Sequence, residues 1–355
     1  GGPVYPAIAI ADAVRALRPD AQIVFAGTQD RLEARAVPEA GYALHPITAQ
    51  GLQRRAVASN LLLPFRVAQG LVQSWRLVGA IEPDVAVGTG GYVAAPVLMA
   101  AWLRGRPLLI QEQNAYAGLT NRVLARLALR VHLAFPEAKD WVPSEHAVVS
   151  GNPTRQSLRD ADPDAARAAF NVPEDGRVLL VMGGSLGSAA INGAIQRILD
   201  PLLAEGDVYV VWQTGTRYYD DLTEDLDEHP RLRVVEYIDQ MGHAYAAADL
   251  AVCRAGALTC SELTVTGTPA VLVPSPNVTA DHQTKNARSL ERAGAAVWLD
   301  EADLDAHLET VLLDLLGNSD RRARMAEAAR DRARPDAAET IARDVLALAD
   351  RYRTN

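Results

Sequence analysis

The sequence of 355 residues is poor in cysteine and has no long apolar run. Its two cysteines, Cys253 and Cys260, are close together in the chain and give no disulfide framework, which fits a reducing cytoplasm. No apolar stretch approaches the roughly 18 residues that cross a bilayer, which excludes an integral membrane protein. The net charge of −9 argues against general nucleic-acid binding, because such binding requires a basic surface.

Acidic residues are missing from the stretch between Glu39 and Glu82. Apolar side chains and arginines are mixed there, which predicts an interfacial membrane patch. The alternative is a core-facing helix whose arginines are merely solvated. A second acid-free stretch between Glu112 and Glu137 could extend the patch. The residues predicted to form the membrane patch itself, all from the first stretch, are Leu62, Leu63, Phe65, Arg66, Trp75 and Arg76.

Short β-rich runs alternate with helical patterns, which predicts an α/β protein with parallel sheets covered by helices on both faces. Two series of six strands indicate two doubly wound domains, with a break near 152–164. The predicted strands are 22–25, 44–47, 85–87, 108–111, 131–133, 147–149, 178–182, 208–212, 232–235, 250–253, 270–273 and 296–299. The predicted helices include 6–17, 189–199, 283–293 and terminal helices within 320–353.

The chain opens on Gly1-Gly2-Pro3, which has the pattern of a loop between a strand and a helix. The first strand of a doubly wound sheet is central, so its loss would interrupt the hydrogen-bonded ladder. We therefore expect that residues preceding Gly1 are missing from this sequence.

Three glycine-rich turns fall where strands give way to helices: Gly1-Gly2, Gly88–Gly91 and Gly183–Gly187. Glycine lets the backbone approach a ligand closely, and the following helix N-terminus favours anions. The spacing of Gly183–Gly187 does not fit a nicotinamide-binding turn. Such turns in both halves predict two phosphorylated ligands that meet across an interdomain cleft.

The segment Arg254–Glu262 follows an apolar run and contains a tight turn at Gly256. This order of strand, turn and helix exposes backbone N–H groups to a phosphate or sugar. Glu262 is early in the helix, where a carboxylate can accept hydrogen bonds from two ribose hydroxyls. The alternative is an ordinary helix in which Glu262 is favoured by the macrodipole.

Polar residues also follow other strands, in Gln111–Asn114 and in Gly151–Arg155. Ligands bind at the carboxyl ends of strands in open α/β sheets, which favours a functional role over simple loop chemistry. Arg155 could stabilise phosphate charge on a leaving group, or it could form a surface ion pair.

Taken together, these segments resemble the MurG family of peptidoglycan glycosyltransferases, in family order over nearly the whole length. The matching segments are 1–7, 27–28, 33–35, 88–92, 112–114, 151–155, 183–187, 237–239, 254–262 and 281–287. The resemblance implies a GT-B fold of two Rossmann-like domains with the active cleft between them. It places an acceptor and membrane-side domain at 1–155, joined by a final helix at 338–355, and a UDP-sugar domain at 156–337.

The resemblance also implies the activity. The family transfers N-acetylglucosamine from its UDP donor to the C4 hydroxyl of lipid I, the undecaprenyl-diphosphate-linked muramoyl pentapeptide, which gives lipid II. The reaction inverts the anomeric centre and requires neither a cofactor nor an enzyme-bound metal. The implied location is peripheral, on an anionic membrane surface at the cytoplasmic face of the cell membrane, with other cell-wall synthesis proteins as further partners.

Site residues carry over by position. Glu262 is expected to hold the ribose, Ile238 the uracil through its backbone, and Gln283 and Asn114 the sugar. The remaining expected donor-binding residues are Gly1, Gly2, Arg155, Ser185, Ala257, Leu258, Thr259, Cys260 and Ser261. The expected cradle for the acceptor diphosphate is Gly88, Thr89, Gly90 and Gly91.

Three positions depart from the family pattern: Pro3 and Gln111 replace histidines, and Leu186 replaces glutamine. Proline cannot accept a proton, so Glu112 becomes the candidate base, although it could equally orient a loop. Two other functions stay open: a GT-B transferase that uses another lipid acceptor, and a catalytically impaired membrane-bound scaffold.

Overall fold

The computed structural model describes residues 3–49, 63–142, 145–155, 158–224 and 226–354, without the side chains of Leu63, Pro64 and Arg66 among others. The chain divides into two compact units. Unit 1 consists of Gly1–Thr154 and Pro335–Asn355, and unit 2 consists of Arg155–Arg334. None of the helices in the described ranges is both long and apolar enough to cross a membrane.

Unit 1 alternates strands with helices and ends with the last helix of the chain. Its strands are β1 (Val24–Gly27), β2 (Ala43–Pro46), β3 (Ala86–Gly88), β4 (Leu108–Glu112), β5 (Arg130–Leu133) and β6 (Ala147–Val149). Its helices are α1 (Val4–Leu17), α2 (Glu33–Glu39), α3 (Leu63–Ile81), α4 (Ala94–Leu103), α5 (Leu119–Leu124) and, at the end of the chain, α15 (Ala337–Thr354).

Unit 2 has the same alternation. Its strands are β7 (Arg177–Met182), β8 (Val208–Gln213), β9 (Leu232–Val235), β10 (Leu250–Cys253), β11 (Ala270–Leu272) and β12 (Ala296–Trp298). Its helices are α6 (Pro163–Ala169), α7 (Ala189–Arg197), α8 (Leu199–Ala204), α9 (Tyr219–Glu224), α10 (Met241–Ala247), α11 (Ala257–Thr266), α12 (His282–Arg292), α13 (Leu304–Gly317) and α14 (Ser319–Asp331).

All strand pairs within the described chain are parallel, and each predicted strand is present within two residues of its predicted bounds. Unit 2 has one six-stranded sheet in the order β12-β11-β10-β7-β8-β9. Unit 1 has a two-stranded sheet, β1-β2, and a four-stranded sheet, β3-β4-β5-β6. Within the residues that the structure describes, β1 and β3 are not paired, so the six strands of the first series do not form one continuous sheet.

The central strands are apolar on both faces because helices cover both sides of each sheet. Five consecutive residues of β7, from Val178 to Met182, are buried. Leu179 and Val181 join a large core with Trp212 of β8 and Val252 of β10. This packing fixes the carboxyl ends of β7, β8 and β10, from which the site residues of unit 2 emerge.

The last helix, α15, belongs to unit 1 through an apolar face and ion pairs at its polar positions. Ile341 and Val345 share a core with Ile10 and Val14 of α1. Near the end of the helix, the two carboxylate oxygens of Asp350 each accept a hydrogen bond of 2.8 Å from the guanidinium group of Arg18.

Candidate active site

The loop that follows β7 is built from glycines because its backbone packs against a second glycine turn. Gly184 and Gly187 have φ angles of +90° and +80°, which disfavour other residues. A Cβ at Gly187 would collide with the carbonyl oxygen of Thr214. Ser185, predicted to face the diphosphate, is exposed in this loop.

Gln213, at the end of β8, joins two parts of the predicted donor site. Its amide nitrogen donates to the carbonyl oxygen of Gly184 at 3.1 Å, and its Oε1 accepts from the backbone N–H of Ile238 at 3.0 Å. The N–H of Ile238, the residue expected to contact uracil through its backbone, is thus held by Gln213. The sequence did not single out Gln213, although its place at the carboxyl end of a strand was an available signal.

Helix α11 starts at Gly256, an N-cap with no side chain to accept the N–H groups of the first turn. Ala257, Leu258 and Thr259 form this turn and are half-buried. Helix α7 differs, because the Ser188 hydroxyl accepts from the N–H of Ile191 at 3.3 Å.

The side chain of Arg254 connects the end of β10 to neighbouring segments of unit 2. Its guanidinium donates to the carbonyl oxygens of Val273 and Pro274 at 3.2 and 3.1 Å and to the hydroxyl of Ser188 at 2.6 Å. It also forms an ion pair with Glu301 at 2.5 Å. These contacts fix the direction in which the chain leaves β10 and enters α11.

Glu262 lies on α11, and its carboxylate accepts a hydrogen bond of 3.1 Å from the hydroxyl of Tyr245 on α10. Burial raises the pKa of Glu262, while the Tyr245 hydrogen bond and the positive charge of Arg155 act in the opposite direction. Arg155 is exposed and near enough to influence this carboxylate. Tyr245 is buried and is a second residue that sequence reasoning missed, because a tyrosine within an apolar helix has the pattern of a core residue.

Two further residues of the predicted donor set use their side chains within the protein. Cys260 is fully buried, and burial raises the pKa of its thiol to about 12. The Ser261 hydroxyl donates to the carbonyl oxygen of Ala257 at 3.0 Å, a bond within the helix. A role for Cys260 in ligand binding is therefore limited to its backbone.

The segment 281–286 begins α12 and brings Gln283 and Asn286 towards α11. Gln283 accepts from the backbone N–H of Ser275 at 2.8 Å, which orients its amide group. Asn286 is fully buried and donates to the carbonyl oxygen of Ala255 at 3.2 Å. The asparagine thus ties α12 to the turn before α11.

In unit 1, the predicted phosphate cradle follows β3. Gly90 and Gly91 have φ angles of +94° and +84°, so both need glycine. The Thr89 hydroxyl donates to the carbonyl oxygen of Pro3 at 2.9 Å, and the Thr89 carbonyl accepts from Gln113 at 2.6 Å. The cradle is therefore held from two sides, and Pro3 lies beside it. Gly1, Gly2 and Leu62 lie outside the described residues.

Glu112 is buried at the end of β4, and both of its carboxylate oxygens accept N–H groups. Oε1 accepts from the backbone N–H and the side-chain amide of Asn114, at 3.0 and 3.3 Å. Oε2 accepts from the backbone N–H of Gly118 at 3.0 Å and from the side chain of Asn121 at 2.8 Å. A carboxylate offers about four lone-pair sites, so these four bonds use them all.

Gln111, which stands where the family has histidine, forms a chain of buried amides behind Glu112. Its amide nitrogen donates to Asn152 at 2.8 Å, and its Oε1 accepts from Gln113 at 2.6 Å. Asn152 in turn donates to the carbonyl oxygen of Gln113 at 3.0 Å. Within the described ranges, no three His, Cys, Asp or Glu side chains are grouped so that they could hold a metal ion.

Helix α3 exposes the apolar side chains of the predicted membrane patch. Phe65, Val72 and Trp75 are 79%, 51% and 44% exposed, at positions that share one helix face. Val67 and Leu71 flank this face, and Arg76 is exposed beside it. The Trp75 ring is fixed by the guanidinium of Arg104, which lies 4.0 Å from its centroid. These side chains face away from the core, whereas Val78 on the same helix is buried in it.

Comparison with known proteins assigns the chain to a family. Residues 1–133 match the glycosyltransferase family 28 N-terminal domain, and residues 178–341 match the family 28 C-terminal domain. The chain is 99% identical, over 100% of its length and 96% of the relative's, to a protein of Salinibacter ruber named UDP-N-acetylglucosamine–N-acetylmuramyl-(pentapeptide) pyrophosphoryl-undecaprenol N-acetylglucosamine transferase. A protein of the same name from Chlorobaculum parvum is 43% identical, with 98% of this chain and 96% of that one covered.

The structural comparison agrees over the whole length. The crystal structure of Acinetobacter baumannii MurG matches with a TM-score of 0.78 and 31% identity, covering 98% of this chain and 96% of that one. The calicheamicin glycosyltransferase CalG4, at 18% identity and a TM-score of 0.69, shares the fold. The predicted GT-B fold and the predicted resemblance are confirmed, and the chain belongs to glycosyltransferase family 28.

Proposed function

We propose that this chain transfers N-acetylglucosamine from UDP-N-acetylglucosamine to the C4 hydroxyl of the muramoyl sugar of lipid I, which gives lipid II. The observation that carries this proposal is the 99% identity, over the full length, to a relative named for that transfer. The domains of family 28 in both halves support it, because both the donor half and the acceptor half are represented.

We propose that unit 2 binds the UDP-sugar. Glu262 accepts hydrogen bonds from the ribose hydroxyls, and the turn 257–259 offers N–H groups to the diphosphate, with Ser185 on the glycine loop. Arg155 adds positive charge where the leaving UDP becomes more negative. Ile238 contributes the uracil contact and Gln283 a sugar contact.

We propose that unit 1 binds the acceptor diphosphate at the cradle Gly88–Gly91. Two observations support a rigid loop that can accept an anion. Gly90 and Gly91 have positive φ angles, and Thr89 is held by two hydrogen bonds. In the transfer itself, the acceptor hydroxyl attacks the anomeric carbon in line, loses its proton, and UDP leaves. The transition state has oxocarbenium character, as in other glycosyl chemistry.

Glu112 acts in this proposal as a positioning residue. Four N–H groups already occupy its oxygens, so accepting a substrate proton would first require the loop 114–118 to be released. Its bonds to Asn114 and Gly118 hold that loop in place. This favours the loop-orienting alternative over a role as general base.

We further propose that the exposed apolar face of α3 docks on an anionic membrane, on the cytoplasmic side where the UDP donor is found. Aromatic and aliphatic side chains with exposed Arg76 have the composition of an interfacial anchor. Lipid I is itself a membrane lipid, so docking brings the cradle to its substrate. Other cell-wall synthesis proteins are natural partners at the same surface.

The test is UDP release from UDP-N-acetylglucosamine, with and without a soluble lipid I analogue and in the presence of EDTA. Release that requires the analogue supports the transferase and a reaction that needs no added metal. Release with a different glycolipid but not with lipid I would favour another acceptor. Donor binding without release would support the scaffold alternative.

A further inference from the structure

Arg122 of α5 lies against two aromatic side chains in unit 1. The carbon Cζ of its guanidinium group is 5.3 Å from the centroid of the Trp141 ring and 5.8 Å from that of the Tyr116 ring. The two rings meet edge to face, with their centroids 4.4 Å apart. Tyr116 lies in the loop 114–118 after β4, and Trp141 ends the short 3-10 helix after β5. Both segments therefore leave the carboxyl edge of the sheet, where ligands bind in open α/β folds.

The positive charge of Arg122 is not balanced by an acidic side chain. Residues 113–136 contain neither aspartate nor glutamate, and no carboxylate in the described part of the chain forms an ion pair with Arg122. Its one hydrogen bond there runs from Nη1 to the hydroxyl of Tyr116, at 3.3 Å. Arg130, later in the same acid-free stretch, is by contrast paired with Asp344 at 2.9 Å. A guanidinium group has five N–H donors, so most of those of Arg122 remain available to a ligand.

The aromatic rings orient this arginine for a planar anion. A guanidinium group that packs against aromatic side chains keeps the donors along its edge, and their fork matches the two oxygens of a carboxylate. Arg122 and Tyr116 are half-buried and Trp141 is 37% exposed, so the cluster is accessible from solvent. The side chain is therefore held in place before a ligand binds, which lowers the entropy cost of binding.

The cluster is close to the cradle Gly88–Gly91 within unit 1. Asn121 approaches the cradle so closely that a Cβ at Gly90 would lie 3.4 Å from its Nδ2. Asn121 also donates to Glu112 at 2.8 Å, which anchors α5 to the end of β4. Arg122 follows Asn121 directly, so its Cα is only about 3.8 Å further along the chain. A ligand that occupies the cradle therefore has Arg122 in its vicinity.

We propose that Arg122, oriented by Tyr116 and Trp141, binds a carboxylate of the acceptor's pentapeptide. This inference rests on the proposed function, in which the acceptor diphosphate occupies the neighbouring cradle. The muramoyl sugar connects that diphosphate to the peptide, and five extended residues span at most roughly 16–18 Å, which is enough to reach α5. The peptide carries at least its C-terminal carboxylate, whose two oxygens accept from the guanidinium fork.

The first experiment compares two soluble lipid I analogues on the unaltered protein, without vesicles. One has free peptide carboxylates, and in the other every peptide carboxylate is converted to a primary amide. We expect the KM of the amide analogue to be at least about tenfold higher with a similar kcat, because the lost contact stabilises the ground state and the transition state equally. Equal KM values with active transfer overturn this inference alone. No UDP release with either analogue overturns the proposed function and this inference with it.

Variants of Arg122 locate the contact. Arg122→Met keeps an apolar stem against the rings but removes the charge, and it should raise the KM of the carboxylate analogue by at least about tenfold while that of the amide analogue stays the same. Arg122→Lys should lie between, since lysine keeps the charge but lacks the fork. Arg126→Met, at an exposed arginine of the same acid-free stretch, is the matched control with both KM values unchanged. An equal rise for both analogues would reveal a merely structural role and overturn the inference.

A lipid phosphate is the other anion that this arginine could meet. Sedimentation with vesicles of phosphatidylcholine and phosphatidylglycerol distinguishes the two sources, because binding of a peptide carboxylate leaves vesicle binding of Arg122→Met unchanged. Circular dichroism and UDP affinity, both expected to be unaltered, check that the variant folds. Weaker vesicle binding together with an unchanged KM for the carboxylate analogue would assign Arg122 to the membrane and overturn the inference.

Discussion

The hydroxyl of Tyr245 donates a hydrogen bond of 3.1 Å to the Glu262 carboxylate, joining helices α10 and α11 of unit 2. Burial raises the pKa of both groups, and the phenol stays protonated as the donor. The hydrogen bond fixes one carboxylate oxygen while the group remains able to accept further hydrogen bonds. We propose that a carboxylate held in this way accepts hydrogen bonds from the two ribose hydroxyls.

Removal of the carboxylate is the first prediction. Glu262→Ala should weaken UDP binding by ~1.5–3 kcal/mol, the range for hydrogen bonds to a charged group. Tyr245→Phe should weaken it by about threefold to tenfold, because the carboxylate is kept but is less well oriented. Titration calorimetry with UDP measures both.

The matched ligand is 2′,3′-dideoxyuridine diphosphate, which lacks both ribose hydroxyls. Its affinity should not change in either variant. Tyr209→Phe, on β8, serves as the control variant with a tyrosine that does not bond to Glu262. Equal losses for UDP and for the dideoxy ligand would show that Glu262 does not bind the ribose.

The raised pKa of Glu262 gives a pH prediction. In the proposed donor site, only the ionised carboxylate can accept hydrogen bonds from both ribose hydroxyls, so donor affinity should fall as the pH decreases through the raised pKa. The fall begins at a higher pH than an ordinary glutamate would give. Glu262→Gln should bind more weakly at neutral pH and lose this dependence, measured as UDP affinity from pH 7.5 to 4.5. A fall that is identical in Glu262→Gln would assign the titration to another group.

Most of the fold could be predicted from the sequence because strand and helix periods are local properties. The run Val178–Met182 is apolar at every position, which is typical of a strand covered on both faces. The division of unit 1 into two sheets follows from pairing between distant strands.

The site was predictable in its motifs and less so in its side-chain contacts. Glu262 and the glycine turns could be recognised in the sequence, because the order of strand, glycine turn and helix predicts a ligand-binding site. Gln213 and Tyr245 were missed because each acts through a residue distant in the chain. Glu112 was ambiguous for the same reason, since only the fold brings Asn121 to its carboxylate.

The role of Glu112 can be tested through the pH dependence of the rate. As a positioning residue, Glu112→Gln should lower kcat at every pH, by roughly 10²-fold, since a misplaced loop can cost that much. A general base would instead give a profile that loses its acidic limb in the variant. Glu112→Asp and Asn121→Ala should lower kcat by a smaller factor than Glu112→Gln does. The shape of the pH–rate profile should stay unchanged in both. Loss of the acidic limb would restore Glu112 as the base.

His132 predicts an acid sensitivity of unit 1. It is fully buried, with Nδ1 3.0 Å from the Ser150 hydroxyl and Nε2 3.2 Å from Asp344 of α15. Burial lowers the pKa of His132 to about 4, Asp344 acts to raise it, and Arg130 acts to lower it. The unfolded chain therefore takes up a proton before the folded one does, so stability is lost as the pH falls from 6.5 towards 4.

The loss from this residue should be on the order of 3 kcal/mol across that window. Hydrogen exchange in α15, followed by mass spectrometry at several pH values, measures it locally. His132→Gln should flatten the dependence, whereas the control His45→Gln, at an exposed histidine of β2, should not change it. An unchanged slope in His132→Gln would contradict the assignment.

Membrane docking through α3 gives the last prediction. Phe65→Ser with Trp75→Ser removes two large side chains from one helix face, both already exposed, so folding should be preserved. Binding to vesicles of phosphatidylcholine with phosphatidylglycerol should fall by roughly tenfold or more, because each aromatic loses its burial at the interface. Arg76→Gln should weaken binding at low salt only, since its attraction to anionic lipid is screened.

Sedimentation with vesicles measures both variants, and Leu17→Ser on α1 is the control with an exposed leucine in the same unit. UDP affinity should be unaffected in every variant, because α3 belongs to unit 1 and the proposed donor residues of unit 2 are unchanged. If the double variant still sediments with vesicles as the unaltered protein does, the docking face lies elsewhere. If Leu17→Ser reduces sedimentation equally, the binding reflects general surface hydrophobicity, because a defined anchor depends on the residues of one helix face.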